Sequence, residues 1–139
     1  MFSTTTQAPP LVLVVDDFED NREMFAEFLE LSGFRVTQAA NGQEALDRAE
    51  AELPDLVVMD LSLPVIDGWE ATRRLKANPL TANIPVLALS GHSSSREEEE
   101  ALHVGSVALL IKPCLPDVLV SEIRRVLSAH PHRGSGSPA

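Results

Sequence analysis

Short apolar runs alternate with amphipathic stretches along the chain. The runs are rich in Val, Leu and Ile, and they cover residues 11–15, 34–39, 55–61, 84–90 and 107–111. Continuous apolar runs this short are typical of strands that are covered on both faces. The pattern therefore predicts five buried strands.

Helical patterns fill the intervals between these runs. Met24, Phe25, Phe28 and Leu29 form an apolar stripe at helical spacing, which predicts a first helix ending at Gly33. Four further helices are predicted over residues 43–52, 69–77, 94–104 and 115–127. Repeats of strand followed by helix favour right-handed crossovers and a parallel sheet with helices on both faces. The predicted fold class is therefore doubly wound α/β.

Composition and charge narrow the class of protein. The chain has 139 residues and a net charge of −10, and its only cysteine is Cys114. A chain of this length is able to bury a hydrophobic core without the help of disulfides. A single cysteine favours a reducing, cytoplasmic setting. The acidic balance argues against direct nucleic-acid binding, and no apolar run approaches the ~18 residues of a membrane span. Residues 11–129 are predicted to form one domain between flexible ends at 1–10 and 130–139.

Polar side chains stand where the predicted strands end. Asp16 and Asp17 follow the first strand, Asp60 the third, Ser90 the fourth and Lys112 the fifth. Ligands of doubly wound sheets bind at this edge, so we expect these side chains to converge. The more conservative interpretation is a salt bridge between Lys112 and one aspartate, with the other carboxylates solvated.

Three neighbouring carboxylates repel one another unless a cation joins them. Oxygen ligands without His or Cys favour Mg²⁺ or Mn²⁺ over zinc. A carboxylate is also able to act as a nucleophile and form an aspartyl phosphate. Lys112 and Ser90 would then supply a positive charge and a hydrogen bond to the phosphoryl oxygens. The residues therefore predict a magnesium-dependent phosphoryl site.

The chain resembles a receiver domain of a two-component response regulator over residues 11–129. The resemblance rests on VVDD ending at Asp17, DLSLPVIDGWE starting at Asp60, LALSGH around Ser90 and IKP ending at Pro113. It implies a flavodoxin-like, CheY-like sheet in strand order 2-1-3-4-5. It also implies that Asp60 is the phosphoacceptor.

The resemblance assigns roles to the neighbouring residues. It implies that Asp17 binds Mg²⁺ directly, that Asp16 holds a coordinated water, and that the Ser62 carbonyl is a further metal ligand. Ser90 would move to bind the phosphoryl group, and Lys112 would be the invariant lysine of the family. The bond from Lys112 to Pro113 is expected to be cis.

The sequence also departs from the family pattern. Leu109 stands where most members have the aromatic residue of the switch, so it is either ordinary strand packing or a sign of different coupling. Ser62 and His92 hold the two variable positions that tune the lifetime of the phosphoryl group. Cys114 is interpreted as a packing residue rather than a redox sensor. The run 97–100 is interpreted as a solvated face, with an output surface as the alternative.

The predicted function is a stand-alone phospho-accepting switch. A histidine kinase or a histidine phosphotransfer protein would donate to Asp60, and the phosphorylated surface would bind a downstream protein, with the chain a monomer or weak homodimer. One alternative is a magnesium-dependent aspartyl-phosphate phosphatase or phosphotransferase, although Ser62 stands where such enzymes need an acid/base aspartate. The other alternative is a receiver-like interaction module that is never phosphorylated.

Overall fold

The computed structural model describes residues 8–91 and 95–129. Over these residues the chain forms five strands and five helices that alternate in sequence. The strands are β1 Leu11–Val15, β2 Arg35–Ala39, β3 Leu56–Asp60, β4 Val86–Ser90 and β5 Ala108–Ile111. The helices are α1 Glu19–Leu31, α2 Gly42–Glu52, α3 Gly68–Ala77, α4 Ser95–His103 and α5 Pro116–Ala129.

The strands form one parallel sheet in the order β2-β1-β3-β4-β5. The predicted fold class and strand order are therefore confirmed. The described part of the chain contains no helix that is both long enough and apolar enough to cross a membrane. The predicted flexible ends lie outside the described residues, apart from residues 8–10.

Alternate residues of each central strand point into two separate cores. Val12 and Val14 of β1 pack with α1 and α5 residues such as Leu29 and Ile123. Leu13 of β1 packs on the other face, with residues of α2 and α3. This period of two, with both faces apolar, explains why β1 and β3 are continuous hydrophobic runs.

Four strands begin later than the apolar runs indicated, and β2 and β4 show the physical reason. Phe34 belongs to the end of α1, because its N–H donates to the Leu29 carbonyl (3.1 Å) and Gly33 takes a positive φ of 99°. This is a Schellman cap, and the Phe34 side chain still packs in the core. Ile84 is also buried outside its strand, and Pro85 after it has no N–H to donate.

Helix α4 is the helix with the fewest buried side chains. Among its residues whose side chains are described, Ala101 is the one that is buried. Ala101 packs against Leu61 and Ala88, beside the partly buried Trp69 and Leu109. The two other apolar clusters of the described residues are much larger, so α4 has the smallest hydrophobic attachment to the sheet.

Candidate functional site

Three carboxylates meet at the edge of the sheet where the strands end. β1 and β3 are parallel neighbours with Val15 opposite Met59, so the residues that come next, Asp16 and Asp60, are brought side by side. One carboxylate oxygen from each of Asp16, Asp17 and Asp60 lies within 4.8 Å of the others. Asp16 and Asp60 are buried, whereas Asp17 is exposed. The predicted convergence of the acidic residues is therefore present.

The first turn of α1 holds Asp16 in place. Its Oδ1 accepts a hydrogen bond from the Phe18 N–H (2.9 Å), and its Oδ2 accepts one from the Asn21 side-chain amide (2.8 Å). Arg22 donates to the Asp16 carbonyl at 2.9 Å. Asn21 and Arg22 were not predicted from the sequence, although amide and guanidinium groups one helical turn after an acidic pair are a usable signal. A carboxylate has about four acceptor positions, so Asp16 keeps capacity for a further ligand.

Asp60 is a buried carboxylate with two donors. Its Oδ1 accepts from the Ser62 N–H (2.9 Å), and its Oδ2 accepts from Lys112 Nζ (2.8 Å). The Asp60 side chain is 3% exposed and the Lys112 side chain 31%. Burial raises the pKa of Asp60 above the ordinary carboxyl value, although the hydrogen bond and charge of Lys112 pull in the opposite direction. The Lys112–Asp60 salt bridge is real, but it forms inside the acidic cluster rather than in place of it.

The loop between β3 and α3 wraps around Asp60. Asp67 caps α3 by accepting from the Glu70 N–H at 2.9 Å, and the Gly68 N–H donates to the Leu61 carbonyl at 3.1 Å. A Cβ at Gly68 would lie 2.2 Å from the Asp60 carbonyl oxygen, so the close approach requires glycine. Val65 in the same loop has a φ of 70°, which is strained for a β-branched residue.

Ser90 ends β4 and is buried. Its hydroxyl donates a hydrogen bond to Oε1 of Glu97, in the first turn of α4. The interpretation of residues 97–100 as a solvated face is therefore wrong for Glu97, which is half-buried, whereas Glu98, Glu99 and Glu100 are exposed. Helix α4 turns Glu97 toward the strand end, and a charge run in the sequence does not reveal which of its members points inward.

The remaining predicted residues surround this edge. Ser62 is exposed beside Asp60, and the peptide bond between Lys112 and Pro113 is cis. Leu109 is partly buried and packs in the small cluster around Ala101. Cys114 is half-buried, and burial raises the pKa of its thiol, with a smaller contribution from a nearby aspartate. His92 lies outside the described residues.

An apolar groove opens beside the site. It has a volume of about 590 Å³, and its lining includes Phe18, Met24, Gly91, Lys112 and Leu115. Phe18 is 64% exposed although it is a large aromatic residue. The groove and the carboxylates share Lys112, so a molecule in the groove would lie at the entrance to the site.

The doubly wound sheet thus carries an acidic cluster and a lysine at the edge where its strands end. The model of the response regulator receiver domain matches residues 12–124. The chain therefore belongs to the response regulator receiver domain family.

Relatives and solved structures agree with this placement. The polar-differentiation response regulator DivK of Brucella anthropi is 34% identical over 86% of this chain and 97% of its own length. The chemotaxis protein CheY4 of Vibrio cholerae has a TM-score of 0.82 at 32% identity, with 86% of this chain and all of that chain (100%) covered. The receiver domain of the sensor histidine kinase PA1611 of Pseudomonas aeruginosa has a TM-score of 0.75 at 32% identity, covering 88% and 98%. That structure has a magnesium ion coordinated in its active site cleft.

Proposed function

We propose that the chain is a signalling switch whose Asp60 accepts a phosphoryl group. The observation that carries the proposal is the environment of Asp60, a buried carboxylate within 4.8 Å of two others and 2.8 Å from a lysine ammonium. A group held only for packing would not require a cluster of like charges, which costs folding free energy. A phosphoryl site explains both the cluster and the lysine.

In the proposed reaction an oxygen of the Asp60 carboxylate attacks the phosphorus of a phosphohistidine. The P–N bond to the imidazole breaks, the new P–O bond makes an aspartyl phosphate, and the histidine leaves with its electron pair and takes up a proton. Lys112 is placed to pair with an oxygen of the transferred group, and the Ser90 hydroxyl is the proposed second donor. Chemistry of this kind depends mainly on positioning and on charge stabilisation.

The donor set fits a hard divalent cation. Asp16, Asp17 and Asp60 offer carboxylate oxygens within 4.8 Å of one another, and among the described residues no His or Cys belongs to this cluster. Mg²⁺ or Mn²⁺ would be held by these carboxylates and by the Ser62 carbonyl. When bound, the ion would offset the negative charge of the carboxylates and of the incoming phosphoryl group. The PA1611 receiver domain, with magnesium in its cleft, supports this assignment.

The proposed partners are a histidine kinase or histidine phosphotransfer protein and a downstream protein target. The apolar groove supports a protein donor, because Lys112 lines both the groove and the phosphoryl site. The chain would act in the cytoplasm, as its single cysteine favours, and as a monomer or weak homodimer. Ser62 and His92 would set the lifetime of the phosphorylated state.

The proposal is tested by incubating the protein with acetyl phosphate and Mg²⁺ and measuring its intact mass. We expect the mass of one phosphoryl group to be added in the presence of Mg²⁺. It should not be added when EDTA is present during the incubation, nor in Asp60→Asn. Asp67→Asn is the matched control, because it removes an exposed carboxylate of the same loop. A receiver-like module that is never phosphorylated would gain no mass under any of these conditions.

A further inference from the structure

One contact of the phosphoryl site is not explained by phosphoryl transfer. The Ser90 hydroxyl donates its hydrogen bond to the Glu97 carboxylate, which lies on α4 seven residues later. Ser90 is buried and Glu97 is half-buried, so the bond is largely removed from water. Hydrogen bonds to a carboxylate are about twice as strong as those between neutral groups.

A serine hydroxyl has a single proton to donate. While the hydroxyl donates this proton in a hydrogen bond to the Glu97 carboxylate, Ser90 cannot donate to a phosphoryl oxygen on Asp60. Both acceptors are anionic, so they compete for the same donor. Engagement of the phosphoryl group by Ser90 therefore requires the bond to Glu97 to break.

The same bond contributes to the placement of α4. This helix contributes one buried side chain to the core, Ala101, while its apolar neighbour Leu102 is 49% exposed. Because this hydrophobic attachment is small, the hydrogen bond from a buried strand end to Glu97 adds to what holds the first turn. The strand beside α4 has Leu109, which packs against Ala101 and has no aromatic ring to rotate.

We propose that Glu97 is a positioning residue that couples the phosphoryl site to α4. The inference rests on the proposed function of Asp60. In the unphosphorylated protein Glu97 holds the Ser90 hydroxyl away from the phosphoryl position and ties the first turn of α4 to β4. On phosphorylation the Ser90 hydroxyl donates to the phosphoryl group instead of to Glu97, which releases that turn. By linkage, weakening the Ser90–Glu97 bond must favour the phosphorylated conformation by the same free energy.

The test compares variants by their rate of phosphorylation with acetyl phosphate and Mg²⁺, followed by intact mass. Glu97→Ala should accelerate phosphorylation about fivefold, because loss of the bond raises the fraction of protein that is ready to react. Glu97→Gln keeps the size of the side chain and a neutral acceptor, so its rate should fall between those of the wild type and Glu97→Ala. Glu98→Ala removes the same charge from an exposed position of the same helix and should change the rate less than twofold.

Two further readouts separate coupling from a general loss of structure. In a Ser90→Ala background, Glu97→Ala should have no additional effect on the rate, because the donor for which the two acceptors compete is gone. Trp69, the only tryptophan, lies in the cluster with Ala101, so its fluorescence reports on α4. The emission of unphosphorylated Glu97→Ala should shift toward that of the phosphorylated wild type.

The two proposals fail in different ways. If the wild type gains no phosphoryl group, the proposed function of Asp60 is wrong. If the wild type is phosphorylated but Glu97→Ala and Glu97→Gln react like Glu98→Ala, the coupling through Glu97 is wrong and the function stands. An effect of Glu97→Ala that persists in the Ser90→Ala background would equally overturn the coupling.

Discussion

The pair of Lys112 and Asp60 allows the electrostatics of the site to be measured. In Lys112→Met the side chain keeps its length and loses its ammonium group, which leaves the Asp60 carboxylate with the Ser62 N–H as its other donor. Removing one partner of a fully buried ion pair costs about 3–5 kcal/mol. Asp60 is 3% exposed but Lys112 is 31% exposed, so water screens part of the interaction. We expect Lys112→Met to lower the free energy of unfolding by about 2 kcal/mol at neutral pH in EDTA.

The loss of unfolding free energy in Lys112→Met should depend on pH in a defined direction. Because burial raises the pKa of Asp60, the folded protein binds this proton more tightly than the unfolded chain does. That contribution to stability is fully present below the ordinary carboxyl pKa and is lost as the pH rises through the folded pKa. Without the Lys112 ammonium the folded pKa of Asp60 rises further, so the destabilisation by Lys112→Met should shrink as the pH falls from neutral toward the ordinary carboxyl range.

The assay is urea unfolding of a double-mutant cycle. Lys112→Met, Asp60→Asn and the double variant are compared with the wild type in EDTA. Asp60→Asn should remove most of the cost of Lys112→Met, which gives a coupling energy of about 2 kcal/mol. A coupling below about 0.5 kcal/mol would mean that the two groups behave as a solvated surface pair, and the reasoning about a buried site would be refuted.

Three further predictions concern the loop and the groove around Asp60. Gly68→Ala should lower the free energy of unfolding by about 2–3 kcal/mol and slow phosphorylation, because its Cβ would meet the Asp60 carbonyl at 2.2 Å; near-wild-type stability would contradict that packing. Val65→Gly should raise the unfolding free energy by about 1 kcal/mol in urea titrations by relieving a φ of 70°, whereas the same change at the helical Val118 should lower it. Phe18→Ala should slow transfer from a histidine-phosphorylated protein donor at least about fivefold and leave the rate with acetyl phosphate unchanged, whereas equal effects on both donors would exclude a docking role for the groove.

Most of the fold was predictable because the signals are repeated. Apolar runs that are buried on both faces and helices with clear ends gave the element order, and the resemblance gave the strand order. The starts of β2 and β4 differ from the predicted ones for local reasons, since Phe34 belongs to a helix cap and Ile84 precedes a proline. In both cases a buried apolar side chain extends the run beyond the hydrogen-bonded strand.

The site was predictable where strand ends define it and not where helices do. Asp16 and Asp60 continue paired positions of the neighbouring strands β1 and β3, so the sheet brings them side by side. Lys112 follows β5, and its long side chain reaches Asp60 past β4. The contacts of Asn21 and Glu97 depend on the rotation of α1 and α4 about their own axes. Packing against the sheet determines that rotation. The amphipathic pattern of one helix does not predict the rotation to within a single residue.

The most direct test of the central claim is the identity of the modified residue. After incubation with acetyl phosphate and Mg²⁺, reduction with borohydride converts an aspartyl phosphate to homoserine, which peptide mass spectrometry locates. The account predicts homoserine at position 60 in the wild type and none at Asp16 or Asp17. Homoserine at either of those aspartates, or none at position 60, would contradict it.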